Sequence, residues 1–313
     1  MMTYYRTDDQ VIHEEEKLSD GVWVQMINPT HDECEEIAEK LMVDIDDVKA
    51  ALDVEESSRI ELQDGYTLIL VDIPAIEIRH DQRTYTTIPL GIILTQDIIV
   101  TVCTEDTPVL QNFVRSRVKE FSTKKKLRFV YQILYRTAAI YQANLRIIDK
   151  RRTEIEERVG SDTDDSDLIN LHELESTLVY FATSLRANGV VLDRLTRYKR
   201  LEQYPEDQEL LDDVIIENKQ AIEMANVYSG ILNGTMDAFA SIISNNMNIV
   251  MKVLAIITIV MSIPTIVFSA YGMNVAGSGM PLSRSPLGFL IIILISVAIS
   301  VVAAIILSKK RFF

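Results

Sequence analysis

The chain has 313 residues, 46 acidic and 31 basic, for a formal net charge of −15. Mean hydropathy is slightly positive although a quarter of the residues are charged, which points to two regions of opposite character. From Asn248 to Phe313 there is no acid and only five bases, so residues 1–247 hold all 46 acids against 26 bases. A part so acidic argues against nucleic acid, which rewards Lys and Arg, and is compatible with cation handling.

The length suits a soluble domain of roughly 250 residues plus a membrane part. The start, Met1-Met2-Thr3-Tyr4-Tyr5-Arg6, lacks the apolar run of a signal peptide, so that domain is expected not to be exported. Cys34 and Cys103 have no CxxC spacing and fit reduced thiols in a cytosolic domain.

Up to residue 123, short β-like and helical stretches alternate. Residues 21–27, 59–63, 66–73, 84–94 and 98–103 are predicted strands, most of them rich in β-branched and aromatic residues, with turn signals such as Asp64-Gly65 between them. Thr30 is a plausible N-cap and Glu33 completes a capping box for a helix through Met42, and residues 44–52 form a second short helix. The expectation is an α/β domain with a mixed sheet.

From Lys124 onward strand signals vanish. Residues 124–159 and 168–203 are predicted helices, separated by the turn at 160–167 and ended by Tyr204-Pro205. That turn carries four carboxylates, which suit a solvated helix-capping tip better than an EF-hand, whose residue order is absent. From Glu206 no proline interrupts the chain until Pro264, and Gly230 and Gly234 weaken a helix by about 1 kcal/mol each without stopping it. One helix is therefore predicted from residue 206 to 270.

Residues 253–270 and 287–307 are apolar runs without a charge, each long enough to cross a hydrocarbon core of about 30 Å. Lys252 and Lys309-Lys310-Arg311 flank the pair, whereas the connecting loop carries only Arg284, so both termini are expected in the cytoplasm. In the first run Asn248, Met251, Ala255, Thr258, Ser262, Thr265 and Ser269 recur at alternating steps of three and four, on one helix face. Two readings compete for this mostly polar or small stripe: a seam for close helix packing in lipid, or the wall of a water-filled path. Two helices cannot enclose a conduit, so a path requires several copies around an axis. The second run, with Ser296 and Ser300 as its mid-membrane polar residues, reads as a lipid-facing outer helix. The four histidines are scattered, and no nucleophile elbow, P-loop, Rossmann glycine pattern or zinc-ligand cluster is present, so nothing supports an enzyme.

Tyr271-Gly272-Met273-Asn274 directly follows the first apolar run, in a chain that ends in basic and aromatic residues. With Asn248-x-x-Met251-Lys252-Val253-Leu254 upstream and Met280-Pro281 downstream, this resembles the CorA family of divalent-cation transport proteins. The resemblance implies a homopentameric funnel in the cell membrane, the first helices lining the pore and Gly272, Met273 and Asn274 forming the outer entrance. It places Asn248, Met251 and Leu254 toward the cytoplasmic end and Ala255, Thr258, Ser262, Thr265 and Ser269 farther out. It implies influx of Mg²⁺, with Co²⁺ and Ni²⁺ as further ions, closed by cytoplasmic divalent binding at Asp213 with Asp212 beside it. The partner position on the short helix is Lys49-Ala50, with Asp46 and Asp47 only nearby. The outer loop lacks a carboxylate after Met280-Pro281 and resembles the zinc-transporting ZntB branch, so Zn²⁺ transport is an alternative; a membrane-anchored sensor or scaffold that conducts nothing is another.

The expected organisation is thus an α+β membrane protein. It comprises a cytoplasmic α/β domain (1–123), a helical hairpin (124–205), a long stalk helix continuing into the first transmembrane helix (206–270), an external loop (271–286), a second transmembrane helix (287–308) and a basic tail (309–313).

Overall fold

A computed structural model describes the chain except residues 9–10, 80–81, 159–164, 198–204, 275–279, 283–284 and 310–313. The chain divides into two units, Met1–Met236 and Asp237–Phe313. Most of the acidic turn at 160–167, parts of the outer loop including Arg284, and the tail from Lys310 lie outside the described residues.

The first unit opens with β1 (Met2–Asp8), β2 (Val11–Glu15) and β3 (Trp23–Ile27), followed by α1 (His31–Leu41) and α2 (Ile45–Lys49), which continues as a 3-10 turn through Leu52. Then come β4 (Arg59–Leu62), β5 (Tyr66–Arg79), β6 (Gln82–Thr95), β7 (Ile99–Cys103) and α3 (Pro108–Val114). Three long helices complete the order: α4 (Lys126–Arg158), α5 (Asp165–Arg197) and α6 (Pro205–Tyr271), the last running into the second unit.

The seven strands form one sheet, ordered β2-β1-β3-β7-β6-β5-β4. Every pairing is antiparallel except β3 with β7, so the sheet is mixed as expected. β1, β2 and α3 were not legible as elements. β5 runs past its predicted end because pairing continues through Pro74, and β6, which contains Pro89 as expected, extends to Gln82 and Thr95. Each proline lies where its strand has lost its other neighbour, so no ladder donor is missed there.

Successive side chains alternate between the two sheet faces. Val24, Leu68, Leu70 and Val100 pack with Cys34 and Ile37 of α1 and Val48 of α2. Trp23, Ile69, Val71 and Ile99 pack with Phe113 of α3, Phe129 of α4, Leu192 of α5 and Val214 of α6. The sheet is thus the middle of three layers. Trp23 anchors the second side: its Nε1 donates to Thr101 Oγ1 at 2.9 Å, and its ring meets Phe129 edge-on at 5.0 Å. The two cysteines are buried in different layers and unpaired, and burial pushes the Cys103 thiol up to about 11.

The capping box on α1 forms as expected: Thr30 accepts from the Glu33 amide, and Glu33 accepts from the Thr30 amide at 2.9 Å. Gly65, at φ +90, makes the turn between β4 and β5. The helix expected from 206 to 270 spans Pro205–Tyr271, with Gly230 and Gly234 inside it and Pro264 near its end. Its buried residues Leu211, Val214, Asn218, Ala221 and Ala225 recur every three or four positions, a stripe facing its own domain.

Where β4 ends, Asn188 of α5 replaces a strand. Its Oδ1 accepts from the Asp72 amide at 2.9 Å and from Ser58 Oγ at 3.1 Å, and its Nδ2 donates to the Asp72 carbonyl at 2.7 Å. Asn188→Ala leaves the half-buried Asp72 amide without this acceptor. We expect a loss of about 1–3 kcal/mol, read as a lower thermal midpoint.

Candidate functional site: a polar helix face and the loop beyond it

α6 and α7 (Gly288–Lys309) are the two helices long and apolar enough to cross a membrane among the described residues. In the membrane part of α6 the less exposed side chains are Lys252, Ile256, Val260, Ile263, Pro264, Val267 and Tyr271. This is the side that meets α7: Val260, Met261, Pro264, Thr265 and Phe268 share a groove with Val297, Ser300, Val301 and Ala304. Asn248, Met251, Leu254, Ala255, Thr258, Ser262, Thr265 and Ser269 are all exposed. Of these stripe residues only Thr265 lines the groove with α7, and the others lie outside it. The stripe is therefore not a packing seam between the two helices of one chain.

The hydroxyls on this face are committed in one direction. Thr258 Oγ1 donates to the Leu254 carbonyl at 2.8 Å, Ser262 Oγ to Ile259 at 2.8 Å and Thr265 Oγ1 to Met261 at 3.1 Å. With the protons turned into the helix, the oxygen lone pairs remain outward as acceptors. A hydrated cation presents water hydrogens to its surroundings, and these oxygens can receive them.

Ser296 and Ser300 do not face lipid. Both are buried, Ser300 in the groove shared with α6 and donating to the Ser296 carbonyl at 3.0 Å. Phe289, Leu290, Leu294, Val302 and Ile306 of α7 are exposed and apolar, so these outward faces fit lipid and the serines turn inward. Ser300 satisfies its hydroxyl on its own helix, whereas Ser296 Oγ is buried without a hydrogen-bond partner.

α6 closes at Gly272, whose amide donates to Phe268 at 2.9 Å and Ser269 at 3.1 Å. Tyr271 Oη donates to the Pro281 carbonyl at 3.3 Å and ties the two ends of the outer loop together. Met273 and Asn274 follow, both exposed. The turn does not itself demand glycine: Gly272 lies outside the left-handed region, and an added Cβ would meet Phe268 and Ser269 oxygens only at 3.5 Å. Gly288 is the position without room, since a Cβ there would sit 2.3 Å from the Leu282 carbonyl oxygen.

The acids expected to sense cytoplasmic cations are not gathered in one chain. Asp212 and Asp213 are exposed on α6, beside Leu211 and Val214, which pack on one side of the sheet. Asp46 and Asp47 sit on α2, on the other side. Asp47 Oδ2 accepts from Tyr66 Oη at 2.6 Å, and burial together with this bond pushes the phenol up to about 12. The Asp46 amide donates to Asp44 Oδ1 at 2.9 Å. Among the described residues no group of three or more His, Cys, Asp or Glu is placed to hold a metal ion. A site using both pairs of acids must join two copies of the chain.

Residues 19–310 match the family model described as CorA-like Mg²⁺ transporter protein. The chain belongs to this family. It is 27% identical over 300 residues to the cobalt/magnesium transport protein CorA of Methanocaldococcus jannaschii, covering 93% of this chain and 90% of that protein. A Thermotoga maritima protein of the same name is 26% identical over 193 residues, 60% of this chain and 53% of that one. In fold the chain resembles the complete structure of the CorA magnesium transporter from Methanocaldococcus jannaschii, with a TM-score of 0.83 over 100% of this chain and 99% of that one at 24% identity. Full-length CmaX resembles it at a TM-score of 0.71 and 14% identity, covering 100% of this chain and 98% of that one. The ZntB cytoplasmic domain from Vibrio parahaemolyticus does so at 0.58 and 13%, covering 79% and 97%. Membership of this family, with two helices fit to cross a membrane, makes the chain a membrane transporter of divalent cations.

The faces of α6 can be told apart chemically. The native cysteines are buried, so a single introduced cysteine reports by itself. Cysteine at Thr258 or Ser262 should react with a charged, membrane-impermeant thiol reagent about tenfold or more faster than cysteine at Val260 or Ile263, because a thiol on an apolar packed face stays protonated. Equal rates on both faces would remove the stripe from any aqueous path.

Proposed function

We propose that five copies of this chain form a channel for Mg²⁺, with Co²⁺ and Ni²⁺ as further ions, through which the cation enters the cell down its electrochemical gradient. The observation that carries this reading is the face of α6 from Asn248 to Ser269, exposed, turned away from α7 except at Thr265 and offering hydroxyl oxygens as acceptors. Repeated about an axis, each position becomes a ring. The number five is what the family resemblance implies. An inside-negative potential favours a doubly charged ion by about 4.6 kcal/mol per 100 mV. Lys252 at one end of the first span and Lys309 at the end of the second support an arrangement with the large acidic domain and both termini in the cytoplasm, in the cell membrane.

Mg²⁺ sheds water reluctantly. A ring of Asn274 amides with the Gly272 and Met273 carbonyls is neutral and can hydrogen-bond the hydrated ion without stripping it. Room for such a ring is the reason we assign to Gly272, which its own turn does not require. Met251 and Leu254 form apolar constrictions that gate by dewetting. Asp212 and Asp213 of one subunit, with Asp46 or Asp47 of the next, bind divalent ions when the cytoplasm is replete and hold the pore shut; the opposite sides of the sheet on which these acids lie support a site between subunits. Zn²⁺ is the second reading, favoured by an outer segment, residues 271–286, without a carboxylate.

Flux into proteoliposomes tests the entrance. Asn274→Ala should lower Mg²⁺ uptake at least about tenfold, the equivalent of about 1.4 kcal/mol in the ring's preference for the ion. Unchanged uptake would defeat the assignment of Asn274, and absence of flux for any divalent would favour a non-conducting sensor. A competition series with Mg²⁺, Co²⁺ and Zn²⁺ decides the ion. Asp213→Ala should leave the channel open at millimolar internal Mg²⁺; normal shut-off would exclude that site.

A further inference from the structure

At the end of the sheet where α4 and α6 begin lies a cavity of about 620 Å³, within the range of small-molecule sites. Lys124, Lys125, Lys126 and Arg128 line it, together with neutral polar residues such as Thr67 and Gln96, and its one carboxylate is Asp207. Arg128 already pairs with that carboxylate at 3.5 Å, and also with Glu120 and with Glu206 at 3.6 Å. Lys126 Nζ donates to the carbonyls of Thr95, at 2.8 Å, and Gln96 and forms no ion pair, with Asp97 the carboxylate near its charge. Among the described residues neither Lys124 nor Lys125 has a carboxylate within ion-pair distance.

Among the described residues none of these three lysines forms an ion pair, although Asp97 lies near Lys126 and Asp8, Glu120 and Glu206 share a neighbouring pocket with Lys124 and Lys125, in a chain of net charge −15. The first turn of α4 contains no acid, so the positive end of a 33-residue helix faces more positive charge. Arg128 Nε, in the wall of the same cavity, is buried without a partner. A local arrangement that opposes both the helix dipole and like-charge repulsion is the kind retained where a ligand supplies the missing charge.

We propose that this cavity binds a small anion carrying two or more phosphate groups. The volume exceeds what a single phosphate fills, and three lysines outside any ion pair match a chain of phosphates rather than one carboxylate. Asp207 and Glu206, bonded to Arg128, open α6, so the anion docks where that helix is fastened to the domain. The site goes beyond the transport reading and does not rest on it.

Titration calorimetry of the purified full-length protein in detergent and EDTA tests it, with sodium pyrophosphate, ATP and inorganic phosphate as probes. Pyrophosphate or ATP should bind with a dissociation constant below about 1 mM, more tightly than inorganic phosphate. The double variant Lys124→Glu/Lys125→Glu should weaken this by at least about tenfold, and Lys124→Gln/Lys125→Gln by less, with the melting temperature of each confirming the fold. Lys150→Glu, an exposed lysine farther along α4, is the control and should bind as the parent does. ATP binding more tightly than pyrophosphate assigns part of the site to the nucleoside; equal binding assigns it to the phosphates alone. No heat with either polyphosphate, equal affinity for inorganic phosphate, or equal weakening by Lys150→Glu would overturn the proposal.

Discussion

One helix, Pro205–Tyr271, carries the logic of this protein, because a backbone that bonds only to itself can pass from water into hydrocarbon without a break. Its first half is held by side chains: Leu211, Val214, Ala221 and Ala225 turn into the domain. Its last part has an apolar exterior, a face toward α7 and a face of hydroxyls. Glycine at 230 and 234 costs some helix stability, yet neither position crowds a neighbour and the helix continues.

The hydroxyl face illustrates how a polar group is tolerated in a membrane segment. Thr258, Ser262 and Thr265 each give their proton to a carbonyl of their own helix, so no donor is left unsatisfied in lipid. What remains outward is acceptor capacity alone, which suits water molecules around a cation. The same bond made by Ser300 on α7 serves a different end, since that serine faces the neighbouring helix rather than the open side.

The sheet imposes the second constraint. Because side chains alternate across it, α1 and α2 are confined to one layer and α3 to α6 to the other. Acids carried by α2 and by α6 can therefore act together only between copies.

The amino-acid sequence by itself determined the two apolar spans, the long helix, the α1 capping box and the mixed α/β character, because each rests on a local rule: run length, absence of proline, a cap at fixed spacing, a strand pattern. It also determined the stripe and the Tyr271–Asn274 motif, and through them the family. It did not determine β1, β2 or the reach of β5 and β6, since polar edge strands and prolines look like loop until a pairing partner is known. Which face of α6 meets α7, that Ser296 and Ser300 turn inward, and that the two sets of acids lie on opposite sides of the sheet were decided by tertiary structure alone. Periodicity says which residues share a face of an element, but only packing says what that face looks at.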